Sequence, residues 1–141
     1  FNLAANGLSA RAEPLAVAAG ERSGTATLFA CSRTNAGRSS LAPFAGGREA
    51  RFEVPVRPLA AILAERGGGP VGVLKVDVEG LEDTVLLPFL AAAPEALLPR
   101  AVIVETIHRE AWQKDCLTAL ARRGYIVVET TDENAMLHRT P

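Results

Sequence analysis

The sequence predicts an α/β domain with a mostly parallel, Rossmann-like sheet and an antiparallel hairpin at its C-terminal end. In a predicted strand over residues 71–79, residues 74–79 alternate apolar and charged side chains, and residues 101–107 form a near-continuous β-branched run typical of buried parallel strands. Helical segments follow both strands, and strands that alternate with helices form parallel sheets with right-handed crossovers. Residues 125–139 have the strand, turn and strand spacing of a hairpin.

The earlier part of the chain adds three predicted strands. A helix end over residues 1–8, stopped by Asn6-Gly7, precedes them. The strands cover residues 14–19, 25–31 and 51–58. Pro55 cannot donate a backbone hydrogen bond, so we expect the third of these strands at a sheet edge.

Three helices are predicted between and after the strands. The first covers residues 59–66 and ends in a glycine triplet. The second begins near Leu81 and is bent or cut by Pro88 and Pro94. The third covers residues 111–124. Its apolar face consists of Trp112, Cys116, Leu117 and Leu120.

Composition limits the classes of function. At 141 residues the chain has the size of one domain. The formal net charge is −1 and the sequence has no basic block, which argues against nucleic acid and acidic membranes as partners. Prolines and a glutamate interrupt the most apolar segment, residues 86–99, so no membrane helix is predicted. The two cysteines form no CxxC pair, and we expect a cytoplasmic protein.

The charged run Lys75-x-Asp77-x-Glu79-Gly80 is the first candidate site. In open parallel sheets, ligands bind beyond the carboxyl ends of the strands, so these side chains would reach a polar cleft. A structural alternative remains, in which Lys75 forms a salt bridge with Asp77 or Glu79. The stretch 67–72 fits a GxGxxG pattern, but it precedes a strand instead of following one, which favours a plain helix-to-strand connection.

Glu105 and His108 follow the next predicted strand and would face the same cleft. Histidine titrates near neutral pH and suits general-base catalysis, although a single surface histidine is more often only solvated. His138 lies in the hairpin, where we expect a structural role. Loop 34–40 is either a ligand-facing loop or an ordinary polar connection, and its composition does not decide between them.

Together these motifs resemble a known family. "KVDVEGLE" is similar to the KxDxEGxE motif of the FkbM-type methyltransferases, which use S-adenosylmethionine (SAM) to methylate hydroxyl groups on macrolides, sugars and related metabolites. Flanking segments are similar, in order, over nearly the whole chain: "FNLAANG", "AVAAGERSGTATL", "NAGRSSL", "VPVRPL" and "VIVETIH". The resemblance implies a Rossmann-like class I methyltransferase fold and SAM-dependent O-methyltransferase activity.

The resemblance also implies that the N-terminal part of such a domain is missing. The family's glycine-rich SAM loop and the acidic strand end that binds the ribose would lie upstream of Phe1. With the family's strand order of 3-2-1-4-5-7-6, the missing strands separate residues 14–19 from residues 71–79. We therefore expect residues 1–141 to be one partial domain with an unpaired inner strand edge. A second departure is Ala60, where the family usually has an acidic residue.

By resemblance, the site residues divide into three sets. Val17 and Ala18 match the strand end that lines the adenine pocket, and Asp77 matches the strand end near the methionine part of SAM. The expected catalytic residues are His108, Glu79 and Glu105. The expected substrate-binding residues are Asn35, Ser39 and Ser40. Of the catalytic set, His108 or Glu79 would remove the proton of the acceptor hydroxyl.

The implied partners are SAM and a small-molecule or glycan acceptor. Mg²⁺ suits the oxygen ligands of Asp77, Glu79 and Glu105, but the sequence does not require a metal. Two rival hypotheses remain open. One is a Rossmann-like, metal-dependent hydrolase or phosphotransferase that uses the same carboxylates and does not bind SAM. The other is an inactive fragment or binding module.

Overall fold

The computed structural model of the protein describes residues 2–31, 39–43, 49–67 and 69–140. The described strands form two four-stranded sheets. The first sheet has the order β1-β4-β2-β3. Its strands are β1 (Ala18–Ala19), β2 (Gly24–Cys31), β3 (Ser39–Ser40) and β4 (Glu49–Arg57).

The second sheet has the order β5-β6-β8-β7. Its strands are β5 (Val73–Val76), β6 (Ala101–Glu105), β7 (Tyr125–Thr130) and β8 (Asn134–Arg139). β7 and β8 pair antiparallel, so the predicted C-terminal hairpin is confirmed. β5 pairs with β6 on one side, and its other edge is unpaired among the described strands.

The described residues contain four α-helices, of which the first precedes the strands and the other three lie between them. They are α1 (Asn2–Ala5), α2 (Leu59–Glu65), α3 (Glu82–Ala92) and α4 (Cys116–Arg122). α4 is shorter than predicted because Asp115 caps its first turn through the backbone N–H group of Leu117, and Trp112 therefore lies outside the helix. Pro88 is accommodated inside α3, whereas Pro94 follows its end. Within the described ranges no helix is long and apolar enough to cross a membrane.

The prediction of a mostly parallel sheet is wrong for the described strands. Parallel pairing occurs between β1 and β4 and between β5 and β6, and the remaining ladders are antiparallel. The reason lies in the connections. Only β5 and β6 are neighbours joined by a crossover helix, α3, whereas β7 and β8 are joined by a short turn that forces antiparallel pairing.

The prediction that the strand with Pro55 lies at a sheet edge is wrong. β4 lies between β1 and β2 in the first sheet. However, β1 is only two residues long and pairs with Val56 and Arg57, whereas Pro55 is paired on the β2 side alone, with Thr25. The proline is tolerated because the second neighbour begins one residue after it.

The core lies between one face of the second sheet and helices α3 and α4. The buried sheet residues on this face are Val76, Val102, Val104, Tyr125, Ala135 and Leu137. The buried helix residues packed in the same cluster are Val85, Leu86, Phe89, Leu90, Cys116 and Leu120. Removing this apolar surface from water is the main source of stability.

The opposite face of the second sheet is only partly covered. In β6, Val102 and Val104 are buried while Ala101, Ile103 and Glu105 are partly exposed, so the expectation of a strand buried on both faces is wrong for residues 101–107. Next to them in β5, Val73 is 61% exposed. The α3 and α4 helices both pack on the other face. This face of the sheet can therefore accommodate polar side chains, such as that of Glu105 at the carboxyl end of β6.

Candidate functional site

The chain turns sharply at the carboxyl end of β5. Residues 77–81 separate β5 from α3, and this turn contains two residues with positive φ, Glu79 at 55° and Gly80 at 92°. A left-handed conformation costs a non-glycine residue about 1 kcal/mol and persists where the surroundings hold it. The turn is therefore a constrained segment, and its side chains have defined directions.

The structure brings the ends of β5 and β6 together, as the sequence predicts. The Glu79 Oε2 atom lies 3.4 Å from the His108 Nε2 atom, and both side chains are mostly buried. A Cβ atom added at Gly80 would lie 3.2 Å from the Cβ atom of His108. Glycine is therefore favoured at position 80 for two reasons. Its φ is positive, and the absence of a side chain lets the backbone of the turn approach His108 closely.

Glu105 adds a second carboxyl group to this cluster. Burial raises the pKa of Glu105, and the negative charges of Asp77, Glu79 and Glu82 raise it further, while His108 has the opposite effect. Its Oε2 atom is buried without a hydrogen-bond partner among the described residues. A carboxyl group in this environment takes up a proton more readily than one in water.

Lys75 and Asp77 form an ion pair on the exposed side of the β5 end. The Lys75 Nζ atom lies 2.6 Å from the Asp77 Oδ2 atom, and the side chains are 54% and 41% exposed. The hydrogen bond to Asp77 raises the pKa of Lys75. The salt bridge weighed as a structural alternative therefore exists. Exposed pairs of this kind contribute only about 0–1 kcal/mol to stability.

A cavity of about 890 Å³ lies between the first sheet and the turn after β5. Its lining includes all the predicted cofactor residues and two of the predicted substrate residues: Val17, Ala18, Asp77, Ser39 and Ser40. The buried Ser40 hydroxyl donates a 3.4 Å hydrogen bond to the backbone oxygen of Glu79, which connects loop and turn. The third predicted substrate residue, Asn35, lies outside the described residues.

The turn separates this cavity from the histidine. Asp77, Val78 and Leu81 belong to the described lining of the cavity, whereas Glu79, Glu105 and His108 do not. Asp77 connects the two sides because it lines the cavity while its charge raises the pKa of Glu105. The predicted residues thus form two adjacent groups and not one common cleft.

Comparison with known families decides what kind of protein carries this arrangement. The family model described as the Methyltransferase FkbM domain matches residues 1–127 of the chain. The chain belongs to the FkbM methyltransferase family. The resemblance seen in the motifs is confirmed over most of the sequence, and the family indicates methyltransferase activity. No curated protein and no solved structure matches the chain.

Sequence reasoning missed two buried carboxylates of this FkbM domain, Glu82 and Asp83. They begin α3, and both are almost fully buried. Asp83 Oδ2 accepts hydrogen bonds from the backbone N–H groups of Gln113 and Lys114, at 2.8 and 3.2 Å. A signal was present, because Glu82 is the last acidic residue of the KxDxEGxE motif, but its spacing alone predicts only a helix N-terminus.

Other candidates have minor places in the structure. His138 is exposed on β8, opposite Ile126, away from the cluster around His108. The described part of the stretch 67–72 joins α2 to β5, so its interpretation as a plain connection is confirmed. In the described part of the chain, no group of three or more His, Cys, Asp or Glu side chains is arranged to hold a metal ion.

The raised pKa of Glu105 predicts a pH-dependent effect of Glu105→Gln. Because the folded-state pKa is raised, the stability associated with the protonated carboxyl group is fully present below its ordinary value of 4.5 and is lost as the pH rises through the folded value. The variant stays neutral, so it should raise the thermal midpoint at about pH 7 and change it little at about pH 4. Thermal melts followed by circular dichroism measure both.

Glu129→Gln is the matched control, because Glu129 is exposed on β7. It should leave the thermal midpoint nearly unchanged at both pH values. If Glu105→Gln lowers the midpoint at about pH 7, the Glu105 carboxylate is stabilised by its surroundings and not opposed by them.

Proposed function

We propose that the protein is a SAM-dependent methyltransferase that methylates a hydroxyl group on a sugar, polyketide or related metabolite. Family membership supports the methyl-transfer reaction. The observation that carries the cofactor assignment is the cavity in which Val17, Ala18 and Asp77 meet, although Asp77 is far from the other two residues in the sequence. The cavity volume is in the range of small-molecule sites, which is about 300–1,000 Å³.

The chemistry of the lining fits this cofactor. Val17 and Ala18 offer an apolar wall for a flat aromatic base, and Asp77 offers a carboxylate for a positively charged or hydroxyl-bearing group. SAM supplies a methyl group on a positively charged sulfur. The order β5-β6-β8-β7, with one parallel pair followed by a terminal hairpin, is compatible with one half of a Rossmann-like methyltransferase sheet.

On the other side of the turn, His108 is the proposed base. Methylation of a hydroxyl group releases its proton, which a positioned side chain can take up as the oxygen reacts. The ring nitrogen of His108 that faces away from Glu79 would receive the proton, and the Glu79 carboxylate, 3.4 Å from Nε2, would stabilise the resulting imidazolium. Glu79 is the alternative base. Glu105, with its raised pKa, would hold the proton or orient the acceptor hydroxyl.

The first test separates a cofactor role of Asp77 from its salt bridge. In the full-length protein, Asp77→Asn should weaken SAM binding roughly tenfold, a loss of about 1.4 kcal/mol. Lys75→Gln removes the same ion pair but keeps the carboxylate, and it should bind SAM like the wild type. Titration calorimetry measures both affinities, and thermal melts should shift by only a few degrees because the pair is exposed.

Two results would contradict this assignment. Equal losses of SAM affinity in Asp77→Asn and Lys75→Gln would mean that the ion pair shapes the site and that Asp77 has no direct role. A wild-type protein that does not bind SAM, but hydrolyses or transfers phosphate with Mg²⁺, would favour the rival enzyme class.

The second test concerns the base. Transfer of labelled methyl groups from SAM to a panel of sugars and polyketides identifies an acceptor, and kcat is then compared between variants. His108→Ala should lower kcat by about 10²- to 10⁴-fold and leave SAM affinity nearly unchanged. His138→Ala, at the exposed histidine of β8, is the control. Near-normal turnover of His108→Ala, together with an inactive Glu79→Gln that still binds SAM, would transfer the role to Glu79.

A further inference from the structure

Glu82 is fully buried, although it is a charged residue at the first position of α3. Burying a carboxylate is unfavourable unless its oxygen atoms accept hydrogen bonds. The positive end of the α3 dipole offsets part of this cost, since acidic residues in the first turn of a helix are favourable. The remaining stabilisation has to come from hydrogen-bond donors around the two carboxylate oxygens.

The two oxygens of Glu82 accept hydrogen bonds from two different parts of the chain. Oε1 accepts from the backbone N–H groups of Val78, at 3.0 Å, and Gly80, at 3.3 Å. Oε2 accepts from the indole Nε1–H group of Trp112, at 2.7 Å. One side chain therefore connects the turn after β5 to the segment after β6, 30 residues later.

Only a carboxylate satisfies both sides of this bridge. Glutamine has the same shape but offers one acceptor oxygen and one NH₂ donor group. If the glutamine oxygen faced Val78 and Gly80, the glutamine NH₂ group would face the N–H group of Trp112. In the reverse orientation, the NH₂ group would face the backbone N–H groups of Val78 and Gly80. Either way, donors meet donors, and a buried polar group is left without a partner at a cost of about 1–3 kcal/mol.

Both ends of the bridge are adjacent to the Glu79–His108 pair. Glu79 lies between the two backbone N–H groups that Glu82 binds, in its left-handed conformation. His108 precedes the short 3₁₀ turn Arg109–Ala111, which leads directly to Trp112. The guanidinium group of Arg109 lies 5.8 Å from the ring centre of Trp112, which further restricts the indole.

We propose that Glu82 is the positioning residue of the site, and that its buried carboxylate fixes His108 against Glu79 and Gly80. A catalytic meaning of this positioning rests on the proposed methyl transfer, in which His108 is the base. The geometry itself does not depend on it. Glu82 contributes no atom to the described cavity lining, so it acts through the turn and through Trp112.

The reactivity of His108 toward diethyl pyrocarbonate tests this proposal, because the reagent modifies accessible, neutral imidazole groups. The chain has two histidines, and mass spectrometry of peptides reports on each separately. In the wild type, His108, whose side chain is 29% exposed and contacts Glu79, should react more slowly than the exposed His138. Glu82→Gln should raise the rate at His108 several-fold and leave the rate at His138 unchanged.

Asp83→Asn is the matched control for loss of a buried carboxylate in the same helix turn. One oxygen of Asp83 accepts both of its backbone hydrogen bonds, so an asparagine oxygen can replace it. This variant should leave the rate at His108 unchanged. Thermal midpoints measured in parallel show whether a variant is destabilised without moving His108, as a purely structural role of Glu82 would predict.

An unchanged rate at His108 in folded Glu82→Gln protein would overturn the proposal, as would an equal increase in Asp83→Asn. If Glu82→Gln does not fold, Trp112→Phe removes the other end of the bridge and should also raise the rate at His108. An unchanged rate in Trp112→Phe would count equally against the proposal. The labelling needs neither SAM nor an acceptor. A protein that does not bind SAM would therefore refute the proposed function without deciding the role of Glu82.

Discussion

The buried carboxylate of Glu82 is the constraint on which the candidate site depends. Its two oxygens hold a left-handed turn on one side and an indole ring on the other. A charge in a protein interior is stable only while its hydrogen bonds persist, so its partners are held with it. The end of β5, the start of α3 and the segment after β6 therefore behave as one unit.

This unit explains how the residues that follow β5 can face two different parts of the structure. Asp77 and Val78 face the cavity that contains Val17 and Ala18, whereas Glu79 faces His108. The left-handed conformation of Glu79 breaks the alternation of the strand, so the Glu79 side chain does not share the side of Asp77. Methyl transfer to a hydroxyl group requires a bound methyl donor and a nearby base, and a rigid turn can hold both in a fixed relation.

The sequence predicted the meeting of Glu79, Glu105 and His108 because carboxyl ends of adjacent parallel strands share one edge of a sheet. It also predicted the terminal hairpin, since turn residues and strand spacing are local signals. Other features depend on distant partners. The central position of β4 despite Pro55 follows from how short β1 is, and the burial of Glu82 follows from a tryptophan 30 residues away. The periodicity of apolar residues is a local signal and does not predict such contacts. For the same reason, residues 101–107 were predicted to be buried on both faces.

A double-mutant cycle of Glu82→Gln and Trp112→Phe measures the central interaction most directly. Denaturant unfolding followed by circular dichroism gives the free energy of unfolding of the wild type, the two single variants and the double variant. Phenylalanine has no N–H group to oppose the glutamine, so the double variant should be more stable than the sum of the single effects predicts, by about 1 kcal/mol or more. Additivity within about 0.5 kcal/mol would contradict the account, because independent sites behave in that way.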